Sequence, residues 1–465
     1  MAVTAEIPVG SRVRHRLMGP GDVLATRYRG YEYWVQFKAV KAWVRGPELI
    51  WDPPAGGKID PSRVGRPVSR SMPVDSDGPS HRMGLPSTAR KIEAGHAERA
   101  VIESFRLGTV PDAYVEQWTE GRDDELAHLK HWLSDQADGS LLIEGAYGSG
   151  KSHLLQTIRA RALSEGWAVS YSHLDAGEES AAFSKRLYRQ IARGLDVPGI
   201  GKLEHALLAA VDASPENPAP DHPILGNVLE RIRRGTMRPD DWEAVLGTGE
   251  ATAVTGFLPD FTTSANVYCN LLSGLGYLMS EVLGKRGMLI LVDEVETASA
   301  CLYRFHFTRA QSFFRGLTLT ASDDPALLDE AVEKGKTSYV GATTGLIYAG
   351  HRKIPYLYRI PSGLKVVLAT TPGPMRGQYK EWRSEQSVLE IDTLRPRALR
   401  TLMERLNQTY GALHGVSFPE LTVTALTAKL LDRFGGLATR RVIKAFVECL
   451  DFRRFNPGQP LKDIL

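Results

Sequence analysis

Cysteine is scarce in this chain, with three in 465 residues. Cys269, Cys301 and Cys449 lie far apart and lack metal-ligand spacing, which excludes a disulfide scaffold or a zinc ribbon and predicts reduced thiols in a cytoplasmic protein. Long apolar runs are missing too. The longest, residues 288–292 and 366–369, fall far short of the roughly 20 residues a membrane span needs. The opening Met-Ala-Val-Thr-Ala-Glu has no basic-then-apolar export pattern, so no membrane partner is expected. Charge of one sign is also lacking: 57 Lys+Arg against 54 Asp+Glu leave a net +3. That balance excludes a globally basic nucleic-acid binder and leaves only local patches. Hydrophobic residues at 43% and charged ones at 24% are ordinary for a soluble protein, and the length suits two or three domains.

What is present is a full phosphate-binding loop, Gly145-Ala146-Tyr147-Gly148-Ser149-Gly150-Lys151-Ser152, followed by His153. Residues 141–144 read as a short buried strand before it. Residues 152–165 read as a helix after it, with Leu154, Leu155, Ile158 and Ala162 on one face. Only about 0.02 chance matches to such a loop are expected from average residue usage. The glycines let main-chain NH groups turn toward a phosphate, and the helix N-terminus adds partial positive charge. Lys151 is the residue to reach the β- and γ-phosphates, and the Ser152 hydroxyl the one to bind Mg²⁺.

A second element is the apolar run 288–292 ending in Asp293-Glu294, the pattern of a buried parallel strand delivering two carboxylates at its end. Asp293 is the expected metal ligand, and Glu294 the group that polarises attacking water. A third run, 365–369, ends in Thr370-Thr371. Thr370 is the first choice, and Thr371 the second, for a polar group between these acids and the γ-phosphate, as sensor 1 is in AAA+ ATPases. A helix starting after Gly435-Gly436 carries Arg440 and Arg441, which resembles the sensor 2 segment of the Orc/Cdc6-like group. Arg440 is preferred as the catalytic cation. Gly121-Arg122-Asp123-Asp124-Glu125-Leu126 is similar to the start of Orc- and STAND-type ATPases, which pack this segment near adenine. No guanine-specificity motif is present, so ATP is expected rather than GTP.

Roughly 140 residues separate the two phosphate-site elements, more than a compact βαβ unit needs. Residues 167–171 supply one intervening strand, and about 176–285 read as a mainly helical insertion. Arg231, Arg233, Arg234 and Arg238 cluster there, either against a phosphate backbone or as a solvated face. Arg304, Arg309, Arg315, Arg352 and Arg359 are the pool from which a finger for a neighbouring subunit would come.

Toward the N-terminus, Val13, Val23, Tyr33, Val35, Phe37 and Val44 alternate with polar residues between Gly turns, predicting four or five short strands. Gly10, Arg12, Val13, His15, Gly19, Gly21 and Val23 resemble the SH3-like or Tudor-like modules of helicase tails and CarD-type factors. Eight Lys/Arg (Arg12, Arg14, Arg16, Arg27, Arg29, Lys38, Lys41, Arg45) face four acids in residues 1–50. Nucleic acid or a partner protein would suit such a surface. The seven prolines between Pro53 and Pro86, with many Gly and Ser, predict a tether. The expected organisation is an all-β barrel at 1–52, a linker at 53–88, an α/β ATPase core at 89–390 and a helical lid at 391–465.

From residue 89 onward the chain resembles the BrxD-like ATP-binding proteins of bacteriophage-exclusion (BREX) defence loci. The resemblance rests on Arg99-Ala-Val-Ile-Glu-Ser-Phe-Arg-Leu-Gly108, on Glu144-Gly-Ala-Tyr-Gly-Ser-Gly-Lys-Ser-His-Leu-Leu155, on Val292-Asp-Glu-Val-Glu296 and on Thr439-Arg-Arg-Val-Ile-Lys444. It implies an Orc/STAND-type AAA+ P-loop ATPase using ATP and Mg²⁺. It also implies a DNA-directed role beside other defence proteins such as a helicase, with DNA contact and a homo-oligomer or hetero-complex. The competing expectations are a nucleotide-gated scaffold with little hydrolysis, and a replication-initiator or clamp-loader-like DNA protein.

Overall fold

The computed structural model describes residues 11–15, 19–27, 32–37, 41–45, 49–50, 87–135, 138–174, 182–249, 258, 260–300, 304–350, 353–372, 383, 385–434 and 439–459. The chain forms two compact units, Met1–Gly84 and Leu85–Leu465. The expected tether, apart from its last two residues, lies outside the described residues.

In the first unit, β1 (Arg12–His15), β2 (Gly19–Arg27), β3 (Glu32–Phe37), β4 (Lys41–Arg45) and β5 (Leu49–Ile50) form one sheet in the order β4-β3-β2-β1-β5. Its neighbours are all antiparallel. Val13, Val23 and Val35 are buried, the apolar side of the period-two alternation. Among the described residues no pairing joins β4 to β5, so closure into an SH3-like barrel stays an expectation.

The second unit opens with α1 (Ser87–Leu107), a 3-10 turn (Asp112–Trp118) and α2 (Asp123–Ser134). Next come β6 (Ser140–Gly145), α3 (Lys151–Ser164) and β7 (Ala168–His173). Five helices follow: α4 (Ser184–Gly194), α5 (Leu203–Asp212), α6 (Leu225–Arg233), α7 (Pro239–Val245) and α8 (Ala265–Tyr277). After them lie β8 (Met288–Asp293), a 3-10 turn (Val295–Ala300) and α9 (Arg304–Ala321). A small antiparallel sheet of β9 (Val332–Lys334), β10 (Tyr339–Gly341) and β11 (Ile347–Tyr348) leads to β12 (Leu364–Thr370) and β13 (Ser387–Ile391). The chain then runs through α10 (Pro396–His414), α11 (Glu420–Phe434) and α12 (Thr439–Phe455).

The central sheet has the order β13-β6-β12-β8-β7, with every neighbouring pair parallel. β6, β8 and β12 are buried at every residue, as strands covered on both faces must be. Alternation splits their side chains: Leu141, Ile143, Leu289, Leu291 and Val367 pack against α2 and α3, while Leu142, Ile290, Val292 and Leu368 pack against α4–α9. Each such burial contributes about 1.5–3 kcal/mol. Because β12 lies between β6 and β8, its C-terminal end stands between the phosphate loop and Asp293. This is the parallel sheet with flanking helices that the motifs predict.

Two features differ from the expected boundaries. Within the predicted insertion, α4 packs on β7 and α8 on α9 and β12, so both belong to the layer covering the sheet. The reason is plain in α8, which is buried along residues 265–276 and is therefore enclosed on all sides, its Asn266 and Ser273 hydrogen-bonded within the chain. Likewise α1, placed by sequence with the core, packs in one cluster with α10, α11 and α12 through Val101, Ile102 and Phe105. The C-terminal bundle thus draws on both ends of the second unit.

Candidate functional site

Parallel strands direct their C-terminal ends to one edge, and there this sheet sets Gly145, Thr370, Asp293 and His173. A cleft of about 720 Å³ opens at this edge and is lined by residues 147–154, Tyr171, His173, Asp293, Glu294 and Glu296, with Arg440 at its far side. The phosphate loop is shaped by its glycines. A Cβ on Gly145 would sit 2.5 Å from Ser149 Oγ and 2.8 Å from Ile391 O, a clash no side chain could relieve. Gly150, at φ 106°, occupies the left-handed region at the N-cap of α3, where L side chains are strained.

The loop is braced from behind. The buried Arg122 donates to Ser149 O and Asp392 O and pairs with Glu125 at 2.6 Å. Satisfying the Ser149 carbonyl on the outside leaves that stretch of amides to face the cleft. His153 is neutral: burial, reinforced by the nearby Arg122 charge, pulls its pKa down to about 4. Its Nε2 lies 2.9 Å from Thr119 Oγ1. Thr119 Oγ1 also lies 2.8 Å from Val115 O and 3.1 Å from Thr157 Oγ1. His153 thereby ties α3 to the preceding turn.

Lys151 is buried and donates to Gly145 O (2.8 Å), Ala146 O (3.3 Å) and Thr371 Oγ1 (2.9 Å). Burial lowers its pKa, while Glu296, Asp293 and Glu294 act in the opposite sense. Of the two threonines weighed at the end of β12, Thr371 touches Lys151. Thr370 is the fully buried last residue of the strand, in register with Glu144. Thr371 stands one residue beyond the last paired position, where its hydroxyl accepts from Lys151 Nζ.

Asp293 is fully buried. Burial alone would raise its pKa, but hydrogen bonds from His173, Ser152 and Tyr171 outweigh it and hold the carboxyl below its ordinary value. Tyr171 donates to Oδ2 at 3.0 Å and the Glu294 amide to Oδ1 at 3.0 Å. Glu294 follows with φ 57°, an uncommon backbone for a residue with a side chain, of the kind that concentrates at functional sites. Its carboxylate lies 3.7 Å from His173 Nε2, and His173 Nδ1 lies 3.9 Å from Asp293. His173 and Tyr171 carry no motif signal. Only the parallel pairing of β7 with β8, His173 opposite Asp293, brings them in.

Arg440 lines the cleft and Arg441 is outside its lining. The Arg440 side chain packs close to Gly108, where an added Cβ would meet Nε at 3.0 Å. The other arginines are mostly engaged within the chain. Arg315 forms a two-pronged pair with Glu385 and Arg359 one with Asp221. Arg352 and the side chain of Arg304 lie outside the described residues. Arg309 has a buried Nη1 with no hydrogen bond among the described residues. In the helical region, Arg233 bonds to the carbonyls of Ser214 and Pro215, Arg234 to Glu230, and Arg231 and Arg238 lie near Asp241. These contacts fit the structural reading of that cluster.

The donor set suits Mg²⁺. Among the described residues no group of three or more His, Cys, Asp and Glu could hold a metal ion by itself. A magnesium held by one carboxylate plus substrate phosphates needs no such cage. Asp293, held in the ionised direction in a buried site, and the Ser152 hydroxyl beside it are a donor pair that would fit that role, and the buried Ser149 hydroxyl has no hydrogen-bond partner among the described residues. No described helix is long and apolar enough to cross a membrane.

No curated protein is similar to the chain in sequence. Among solved structures, a DNA replication initiation factor is 13% identical over 73% of this chain and 64% of its own, with a TM-score of 0.33. Domain III of the Thermotoga maritima replication initiation protein DnaA is 10% identical over 74% and 89%, at 0.34. Drosophila ORC bound to DNA is 13% identical over 76% and 67%, at 0.36. The chain therefore spans less than two thirds of the first of these. The fold assignment rests on the strand order rather than on scores of this size. Residues 94–212, which include the phosphate loop, match the family model of the BREX system ATP-binding protein BrxC/D, so this part of the chain is similar to that family.

Proposed function

We propose that the second unit binds Mg·ATP in this cleft and hydrolyses it, and that the cycle serves a DNA-directed defence complex. The observation that carries the reading is the meeting of Lys151 and the Asp293-Glu294 pair in one cleft, from strand ends on either side of β12. Main-chain amides of residues 145–151 and the α3 N-terminus would receive the β-phosphate. Lys151 would exchange its contacts with Gly145 O and Ala146 O for phosphate oxygens. Ser152 and Asp293 would hold Mg²⁺, whose role when bound is to neutralise charge between the β- and γ-oxygens.

Glu294, partly exposed and in line with the cleft, would orient water and accept its proton. His173 would steady Glu294, and Thr371 would set the position of Lys151. Arg440 would add positive charge from the C-terminal bundle, making that bundle responsive to the nucleotide. Phe105, Trp118, Leu402 and Ile443 give the cleft an apolar end suited to a base. The BrxC/D match implies other defence components as partners, and the N-terminal sheet with its cationic excess would be a module for nucleic acid or one of those proteins. Measuring ATP turnover of the parent and of Glu294→Gln, with and without DNA, tests the reading. Equal turnover in both proteins refutes it.

A further inference from the structure

Glu296 is a further acid of the cleft, lining it together with Asp293 and Glu294. Its Oε2 is buried and has no hydrogen-bond partner among the described residues. The side chain is held in place by its backbone. It leaves the 3-10 turn Val295–Ala300, which packs on β12 and α9. Val295 and Ala298, three residues apart and so on one side of such a turn, are both buried. The Thr297 amide and hydroxyl donate to Glu294 O at 2.9 and 2.8 Å. With Val295 anchored in the core, the next side chain is turned to the cleft.

A buried carboxylate oxygen is costly unless a donor reaches it. Lys151 is near enough to feel its charge: burial lowers the Lys151 pKa, and of the three carboxylates opposing that shift Glu296 acts most strongly. An ammonium has three hydrogens, however, and these go to Gly145 O, Ala146 O and Thr371 Oγ1. A triphosphate brings acceptor oxygens, which a carboxylate repels. The donor that remains is water, and Mg²⁺ keeps several of its waters when it binds. The attacking water falls to Glu294, whose side chain is 39% exposed. Among the described residues no three His, Cys, Asp or Glu side chains form a direct cage for a metal, so Glu296 fits a place one water further out.

We propose that Glu296 is a positioning residue for the hydrated Mg²⁺ of the nucleotide, its buried oxygen accepting a hydrogen bond from one of the ion's waters while Asp293 and Ser152 are the nearer ligands. The inference rests on the Mg·ATP reading given above and adds one carboxylate to it. The test is calorimetric titration of the full chain with ATP, in EDTA and in saturating Mg²⁺, parent beside Glu296→Gln. Glutamine keeps the size of the side chain and removes its charge. Val295 and Ala298 still anchor the turn, so the melting temperature should stay unchanged.

The gain in ATP affinity from EDTA to saturating Mg²⁺ should be about tenfold smaller in Glu296→Gln, the order of loss seen when an outer-shell partner of a metal site is removed. Glu296→Asp, which keeps the charge, should recover part of that gain. An unchanged gain overturns the inference even where turnover falls, because Glu296 would then act on the attacking water. Affinity raised by the same factor in both media also overturns it, making Glu296 a counter-charge that repels phosphate. A parent that takes up no ATP refutes the Mg·ATP reading and the inference with it. A parent and a variant that respond equally to Mg²⁺ refute the inference alone.

Discussion

The two ends of the cleft are built by opposite means. The phosphate end sits on the parallel sheet and is held by buried polar contacts: Arg122 on the loop carbonyl, Lys151 on Gly145, Ala146 and Thr371, and Tyr171 on Asp293. The apolar end is assembled from α1, the turn before α2, α10 and α12, which meet through Phe105, Trp118, Leu402 and Ile443. The first is held by specific polar partners, and removing one of them leaves another unsatisfied. The second is held by packing, which tolerates small shifts. If the proposed function holds, chemistry would belong to the sheet end, and response to the nucleotide to the bundle end.

The largest effect that could break this division is expected at Glu294. Glu294→Gln keeps the side chain's size, so ATP affinity should stay within a few fold while turnover falls by about 10²–10⁴. Steady-state kinetics beside calorimetric binding would check it, and loss of binding would place Glu294 in the loop's architecture instead. Next is Arg122. Arg122→Ala leaves Ser149 O and Asp392 O without their donor, a loss of about 1.5–3 kcal/mol per charged hydrogen bond. Nucleotide affinity should drop about tenfold or more, with Arg122→Lys recovering part of it. A lower melting temperature with unchanged affinity would mean that the brace serves the fold alone.

A smaller effect concerns pH. The Asp293 carboxyl is held below its ordinary value, so it contributes stability above pH about 4. That contribution is lost as pH falls through its lower folded pKa. Tyr171→Phe removes one donor and raises the folded pKa toward the ordinary value. The acid limb of both stability and turnover should move to higher pH, read from melting curves across pH 3–6, a window chosen around the carboxylate range. An unmoved limb would show that His173 and Ser152 suffice. The smallest effect is at the bundle end: Arg440→Ala should lower turnover by a few fold, about 1 kcal/mol, while Arg441→Ala leaves it unchanged. The reverse order would mean that α12 presents its other arginine to the nucleotide.

The same comparison explains what could be seen in the sequence. The sheet end was legible where it is local: the phosphate loop needs Gly145, Gly150 and Lys151 at fixed offsets, and a strand buried on both faces must be an apolar run such as residues 288–292. It was illegible where strands meet side by side. Tyr171 and His173 look like ordinary strand residues until parallel pairing sets them beside Asp293. The choice between Thr370 and Thr371 turns on where β12 stops pairing, a one-residue matter that local pattern does not fix. The bundle end was legible only as helices. That α1 belongs with α10–α12 depends on contacts across some three hundred residues of chain, beyond what helical periodicity encodes.

The most direct measurement is calorimetric titration of the full chain with Mg·ATP, parent beside Lys151→Ala. The account requires one nucleotide per chain for the parent, and for the variant a loss of about tenfold or more, as expected when a charged hydrogen-bond donor is removed. Absence of uptake by the parent, or equal uptake by both proteins, would contradict it.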